Sequence, residues 1–510
     1  MWPRLSLNDV RVVGHYLGVL IFCSAVMYVL PLATGLVFSE WDAVGRYLLA
    51  IGLSLVIGSL LQFARIQPGR LNRRQAMVVT GLVWIVLALL ASVPLYMSGH
   101  YLTYLDAFFD GVSGLTTTGA TLVVDLDHLA NADNMFRFMM HLLGGLGLIV
   151  IALSLGLLGK GAGSSLYNSE GRSEHVVPNV VQTTRFIAMI AASFILISTV
   201  VIAVFCLIAG VEPARAVLHG FWLAITGFVT GGYAPTSQSV MYYHSFPLEV
   251  FLMLLMLFGS INFTLHDEIW RGHVRVFFED LETKTMLIWV SALVLVLAAA
   301  LCASQSFSSL PSMLRRGLFM VVAAFSTTGL QNITTNELTT CFSSGAFLTI
   351  AALMVVGGSA GGTSGGIKFY RVGIIAKSIV ATIKETLSPD SAHVAVTYNH
   401  AGRHILSHDT SREALTVFML FVITYALGAL AGVAHGYDAA PAIFESVAMT
   451  SNGGLTSGVA APGMAADLEL VYIFQMWAGR LEFLTLLALV VQVLASIVPR
   501  KLAAKLRRRG

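Results

Sequence analysis

Long apolar runs dominate the chain, broken only by short polar connections. Roughly ten of them reach the ~20 residues that a helix needs to cross a bilayer. The runs are continuous, whereas outer-membrane strands would alternate over segments of about ten residues, so helices are the expected spanning elements. Two open the chain, over residues 10–36 and 46–63. The first is too long, and too far from any clear cleavage site, for a secretory leader. The spacing then predicts a recurring unit: a spanning segment, a short amphipathic segment ending in a turn rich in Gly, Thr and Ser, and a second full spanning segment. Four copies are expected, over 76–158, 185–266, 285–383 and 412–498. With their connections they divide the chain into an N-terminal pair at 1–75 and repeats at 76–170, 171–284, 285–409 and 410–510.

Composition excludes a soluble core: 56% of residues are hydrophobic, 11% are charged and mean hydropathy is +0.79. The expected class is an all-α polytopic membrane protein. Net charge of +3 says little, but its distribution orients the chain. Basic residues lie in the stretch 65–74 and between copies, at Lys160, Arg172, Arg185, Arg271, Arg275, Lys284, Lys384, Arg403 and Arg412, and at the end in Arg500, Lys501 and residues 505–509. Acidic residues fall on the intervening connections: Asp106, Asp110, Asp125, Asp127, Glu212, Glu337, Asp438, Glu445 and Asp467, most of them read as solvated charges, with Arg315 and Arg316 as exceptions. Positive residues stay inside, so both termini and the basic connections are expected to be cytoplasmic and the turns external. Cys23, Cys206, Cys302 and Cys341 lack metal-ligand spacing and read as packing residues. No nucleophile–base or paired-carboxylate arrangement stands out, no loop could hold a catalytic domain, and nothing points to nucleic acid. A non-enzyme is expected.

The four turns carry the chemistry. They read Thr116-Thr117-Thr118-Gly119-Ala120, Phe228-Val229-Thr230-Gly231-Gly232, Ser326-Thr327-Thr328-Gly329-Leu330 and Thr450-Ser451-Asn452-Gly453-Gly454. Each follows a helical pattern too short to span, over 104–113, 213–226, 311–325 and 438–449. Irregular backbone at membrane depth is tolerated only when buried in protein or lining a water-filled cavity. Backbone carbonyls of extended strands can replace the hydration shell of an alkali cation. Glycine permits that backbone, the preceding Ser or Thr adds a hydroxyl, and half-helices aim their partly negative ends at the ion. The expected filter is Thr117, Thr118, Gly119; Val229, Thr230, Gly231; Thr327, Thr328, Gly329; and Ser451, Asn452, Gly453, with potassium held by carbonyls.

These residues resemble the Trk/Ktr/HKT potassium transporter superfamily, and within it the TrkH-type subunit. The resemblance extends over almost the whole chain through residues 142–147 (Leu-Leu-Gly-Gly-Leu-Gly), 258–263 (Phe-Gly-Ser-Ile-Asn-Phe), 357–368 and 479–483 (Gly-Arg-Leu-Glu-Phe). The opening helix pair favours TrkH over the shorter KtrB type. The resemblance implies a potassium-uptake subunit of the inner membrane and a homodimer. It also implies a ring of cytoplasmic nucleotide-binding subunits of the TrkA type, docked on basic loops such as 384–412. Potassium would be the transported substrate, with no organic cofactor on this chain. Glycine at 119, 231, 329 and 453 implies potassium selectivity, while Asn452 breaks the fourfold pattern.

A gate is expected where glycines interrupt the inner helix of the third copy. Gly357, Gly358, Gly361, Gly362, Gly365 and Gly366 each disfavour helix by about 1 kcal/mol against alanine. The broken backbone, with Thr363 and Lys368, would line the ion path below the filter. Close packing needs spaced small residues rather than a cluster, and a phosphate-cradling loop fails because Lys368 follows Ile367 and no Ser or Thr follows it. Arg480 lies inside the last apolar run, where an unpaired guanidinium costs several kcal/mol on some scales. It is expected to face the path, held by carbonyls of the broken loop, and to repel cations in the closed state; a pair with Glu482 would need two residues on different sides of one helix. His141 and His266 could relay protons but read as satisfied interhelical histidines. A carrier coupled to protons or sodium remains the alternative, although carriers commonly show inverted repeats and these copies share one orientation.

Overall fold

The computed structural model describes residues 6–63, 71–147, 166, 180–304, 307, 309–389, 394–400 and 402–497. Arg65, Lys160, Arg172, Arg500, Lys501 and residues 505–509, among the basic positions read above, lie outside them.

The first apolar run folds as Leu7–Ser24 and Val29–Val37, joined by a 3₁₀ turn over Ala25–Tyr28 into one span. Pro31 has no N–H for the Met27 carbonyl, so the tighter turn falls where its ring forbids regular helix. Trp41–Gln62 returns antiparallel, with Gly18 against Gly58 at the crossing. The pair docks on the first repeat through Glu40, whose carboxylate accepts the N–H groups of Asn131 and Ala132 at 2.9 Å, an acid at a helix N-terminus.

Each repeat begins with an outer helix: Arg73–Tyr96, Val180–Ile208, Leu281–Ser304 and His408–Ala434. Their outward faces remain apolar and exposed, as at Leu196, Ile197 and Val200, which is the surface lipid covers. The half-span helices are Tyr104–Leu115, Pro213–Phe228, Leu310–Phe325 and Ala439–Thr450, of 12 or 16 residues, about 18–24 Å long. Thr103 and Ser309 cap the first and third, and Pro213 starts the second at a position that needs no N–H donor.

The inner helices depart from the sequence reading, which expected an interruption only in the third copy. In the second, Phe246–Ser260 and Phe263–Trp270 are bent by 104°, because Asn262 caps a new helix by accepting the Thr264 N–H. In the fourth, Ala466–Arg480 and the helix beginning at Leu484 are bent by 115°, with Glu482 and Phe483 in the left-handed region. In the first, Asn131–Leu146 ends at Gly147, φ +87°. The third runs from Ser344–Val355 through the glycine-rich loop to Phe369–Leu387. Among the described residues six helices are long and apolar enough to cross a membrane, or eight if each bent pair is one span. The strands Thr397–Asn399 and Arg403–Ile405 form a small antiparallel hairpin beside the third repeat.

Candidate ion-conduction site

The four half-span helices end in one and the same way. Thr118, Gly231, Thr328 and Gly453 donate their N–H groups back to Ser113, Thr226, Ala323 and Ala448 at 2.8–2.9 Å. The residue before each donor is left-handed: Thr117 (φ +56°), Thr230 (+51°), Thr327 (+53°) and Asn452 (+53°). This helix-ending motif normally recruits glycine. Branched threonine in that region is a conformational outlier costing about 1–3 kcal/mol, and such outliers cluster where surrounding structure enforces them.

The shared turn sets a register that the sequence spacing misses. Thr118 matches Gly231, and therefore Gly119 matches Gly232, not Gly231; likewise Gly329 matches Gly454, not Gly453. Gly119, Gly232, Gly329 and Gly454 have φ of +84°, +89°, +85° and +61°. A methyl group on Gly329 would lie 2.7 Å from the Gly453 carbonyl oxygen and 2.9 Å from Gly454 Cα, and one on Gly232 3.2 Å from Gly119 Cα. Added methyls on Gly119 and Gly454 would likewise meet Gly232 and Gly119. Consecutive copies thus meet around one closed ring, and all four glycines line a single cavity of about 160 Å³. Gly231 and Gly453 instead face their supports, the His141 ring and Met354. The signal in the sequence was the Gly-Gly pair in copies two and four, which only the turn geometry resolves.

Beneath this ring a smaller cavity of about 50 Å³ is lined by Gly361, Gly362, Gly365, Lys368, Asn452 and Arg480. The loop above Lys368 is tied to its surroundings through its backbone. Gly357 N–H donates to Ile367 at 3.1 Å, Gly358 N–H to Phe325 at 3.3 Å and Thr363 N–H to Gly259 at 3.1 Å. Gly358, Gly361 and Gly366 have positive φ. Lys368 Nζ donates to the Ser364 carbonyl.

The left-handed side chains of the turns reach these same groups. Thr230 Oγ1 lies 3.1 Å from Thr363 Oγ1, Thr327 Oγ1 accepts the Gly365 N–H at 2.7 Å, and Asn452 donates to Thr118 Oγ1 at 3.0 Å and to the Met476 carbonyl at 2.9 Å. Arg480 donates to Thr117 Oγ1 and to the Thr363 carbonyl, both at 3.3 Å, and to the Gly144 carbonyl. Glu482 pairs with Arg371 rather than with Arg480.

The inner-helix motifs have a common steric cause. A methyl on Gly144, Gly259 or Gly479 would overlap the carbonyl of Leu115, Phe228 or Thr450, the last helical residue of the half-span helix in each copy. Glycine lets the two backbones touch just below the turn. His141 is engaged at both ring nitrogens, with the Gly114 carbonyl at 2.9 Å and the Tyr233 N–H at 3.2 Å, so it packs two copies together. His266 holds the Phe258 carbonyl at 2.9 Å across the bend.

The acidic positions need correcting. Asp106, Asp110 and Glu445 are buried within half-span helices rather than solvated on loops, because their oxygens serve backbone donors there. The basic exceptions are paired: Arg315 with Glu249 at 2.6 Å and Arg316 with Glu337 at 3.2 Å.

Four pseudo-equivalent re-entrant units whose turns meet around one cavity, with a smaller cavity lined by the glycine-rich loop and Arg480, define a polytopic membrane protein. Residues 46–497 match the TrkH family, described as cation transport proteins, and this chain belongs to that family. The family consists of membrane transporters, not enzymes. An uncharacterized cation transporter of Methanocaldococcus jannaschii is 30% identical over 95% of this chain and 96% of its own length. The Trk system potassium uptake protein TrkH of Escherichia coli K12 is 28% identical over 94% and 98%. The crystal structure of the potassium transporter TrkH from Vibrio parahaemolyticus superposes with a TM-score of 0.78 at 23% identity, over 95% of this chain and 99% of that one, a likeness of fold.

Proposed function

We propose that this protein is a potassium-selective uptake pore of the cell membrane, gated from the cytoplasmic side. The observation that carries the reading is the ring: four helix ends with identical turns bring Gly119, Gly232, Gly329 and Gly454 around one cavity. Carbonyls of the turns, from Thr117, Thr118, Thr230, Gly231, Thr327, Thr328, Asn452 and Gly453, replace water around a desolvated ion. Half-helix ends add partial negative charge at the same place. Relatives along the whole chain are named potassium uptake proteins, which supports potassium as the ion.

In this reading the loop from Gly357 to Gly366 and Arg480 form the gate. Arg480 sits under the ring on carbonyl and hydroxyl oxygens, so its charge repels a cation leaving the filter, and conduction requires the loop and the guanidinium to withdraw together. The domain division follows the four repeats and the N-terminal pair. Both termini are cytoplasmic, the chain is a homodimer, and a nucleotide-binding subunit of the TrkA type docks on residues 385–408 and acts on the loop through helix Phe369–Leu387, which joins the two. The shared orientation of all four repeats favours a pore over a proton- or sodium-coupled carrier.

Cation flux from proteoliposomes tests the reading. Potassium entry that exceeds sodium entry, with a reversal potential indifferent to a proton gradient, is expected; a reversal potential that follows the proton gradient would establish the carrier instead. Loss of nucleotide-dependent control on deleting residues 385–408 is the expected sign of docking there.

A further inference from the structure

Superposing the four turns brings a second set of equivalent positions into view, behind the ring. Asp110 and Glu445 occupy the same site on the half-span helices of copies one and four, and both are completely buried. Asp110 Oδ1 accepts the backbone N–H of Leu122 at 3.1 Å, and Glu445 Oε2 accepts the backbone N–H of Ser457 at 2.8 Å. Leu122 and Ser457 are themselves equivalent, lying just beyond the ring on the outward strand. Each carboxylate therefore bridges the helix that enters the filter to the strand that leaves it.

Further donors saturate the two acids. Asp110 takes the Tyr101 hydroxyl at 2.8 Å and faces Arg137 at 3.5 Å. Glu445 takes the hydroxyls of Ser457 at 2.6 Å and Thr456 at 3.1 Å, all neutral donors.

The other two copies lack the acid, with Leu223 and Met320 at the corresponding sites, and solve the same problem differently. In copy three the residue equivalent to Leu122 is Asn332, whose amide donates to Glu249 of the preceding repeat at 3.3 Å. In copy two it is Pro235, which has no N–H to hold and a φ already fixed by its ring. All four outward strands are thus restrained at one level, two of them by a carboxylate of their own helix.

We propose that Asp110 and Glu445 are positioning residues for ion selection: by clamping the N–H of Leu122 and Ser457 they hold the oxygens around Gly119 and Gly454 at the width that fits one cation. The inference rests on the potassium-pore reading above. A ring of carbonyls that selects by its width needs strands that resist collapse onto a smaller ion. Hydrogen bonds to a buried carboxylate are the strongest restraint available to a strand that must keep its own carbonyls free.

The test is the potassium-to-sodium permeability ratio of full-length Asp110→Asn and Glu445→Gln in proteoliposomes, measured as a bi-ionic reversal potential beside total flux and thermal stability. Each variant is expected to keep potassium flux and to lose selectivity about fivefold, because the amide oxygen still accepts the N–H but without the charge that roughly doubles the bond. If Asp110→Asn fails to fold because Arg137 loses its partner, Glu445→Gln carries the test alone. A folded Glu445→Gln with unchanged selectivity, or one that loses only thermal stability, overturns the proposal. An unsubstituted protein that passes sodium and potassium alike overturns the reading beneath it as well.

Discussion

The hydroxyl of Thr327 accepts the N–H of Gly365 at 2.7 Å, so the turn of the third half-span helix and the glycine-rich loop share a hydrogen bond deep in the protein. Both groups are buried, and the glycine has no side chain with which to replace the contact. Thr327→Val keeps the branched shape but removes the acceptor, leaving a buried donor unmet at about 1–3 kcal/mol. That cost falls on the arrangement in which loop and turn touch. Basal cation flux is expected to rise in Thr327→Val and to stay near normal in Thr327→Ser, measured as ion efflux from liposomes without any partner; equal flux in the two would show the bond to be incidental.

The register of the ring separates neighbouring glycines. A methyl on Gly453 meets Met354 Sδ at 3.1 Å, a flexible side chain that can shift. One on Gly454 runs into the Thr118 carbonyl, at a backbone φ of +61° that alanine resists. Gly454→Ala is therefore expected to abolish selective flux, and Gly453→Ala to keep most of it. The reverse order in a potassium-against-sodium uptake assay would restore the register read from sequence spacing.

Arg480 places a full charge against oxygens of two other repeats: Thr117 and Gly144 of the first and Thr363 of the third. Two charges about 4 Å apart interact by about 4 kcal/mol at an effective dielectric of 20, enough to suppress cation passage by orders of magnitude. Arg480→Ala is expected to leak cations at least about tenfold faster than the unsubstituted protein, and Arg480→Lys to retain most of the block. Single-channel recording resolves the two, and an Ala variant with unaltered open probability removes the residue from gating.

The N-terminal helix pair is held to the first repeat by Asp133, which is buried and binds Arg46 at 2.7 Å and the Tyr47 hydroxyl at 2.6 Å. Removing one member of such a pair strands the other, at about 3–5 kcal/mol. Asp133→Ala is expected to lower the thermal unfolding temperature in detergent and to expose the pair to limited proteolysis, while ion selectivity in the surviving protein is unchanged.

Several of these features were legible in the linear chain. Apolar length marked the outer helix of every repeat, although of the roughly ten spans expected six, or eight with the bent pairs, pass among the described residues; glycine and threonine marked the four turns, and the run from Gly357 to Gly366 announced a broken helix, because each depends on properties of neighbouring residues. Position within the ring was not legible. Gly231 and Gly232 are chemically the same, and only the bond from Gly231 to Thr226 tells which of them lies on the axis. The bends after Ser260 and Arg480 carry no proline and no glycine cluster at the break, so hydropathy runs through them unbroken. Asp110 and Glu445 looked like loop charges because their partners, the N–H groups of Leu122 and Ser457, are invisible until the chain folds back.

The sequence by itself therefore determined the solvent of this protein, its helical class, its fourfold repetition and the residue types at its constriction, since periodicity, hydropathy and glycine content act locally along the chain. Only the tertiary structure decided which glycines close the ring, which hydroxyls touch the loop beneath it and which carboxylates stand behind it. The reason is geometric: those contacts join residues up to several repeats apart, and a shift of one position along the backbone, which leaves composition untouched, exchanges the side facing the axis for the side facing the support.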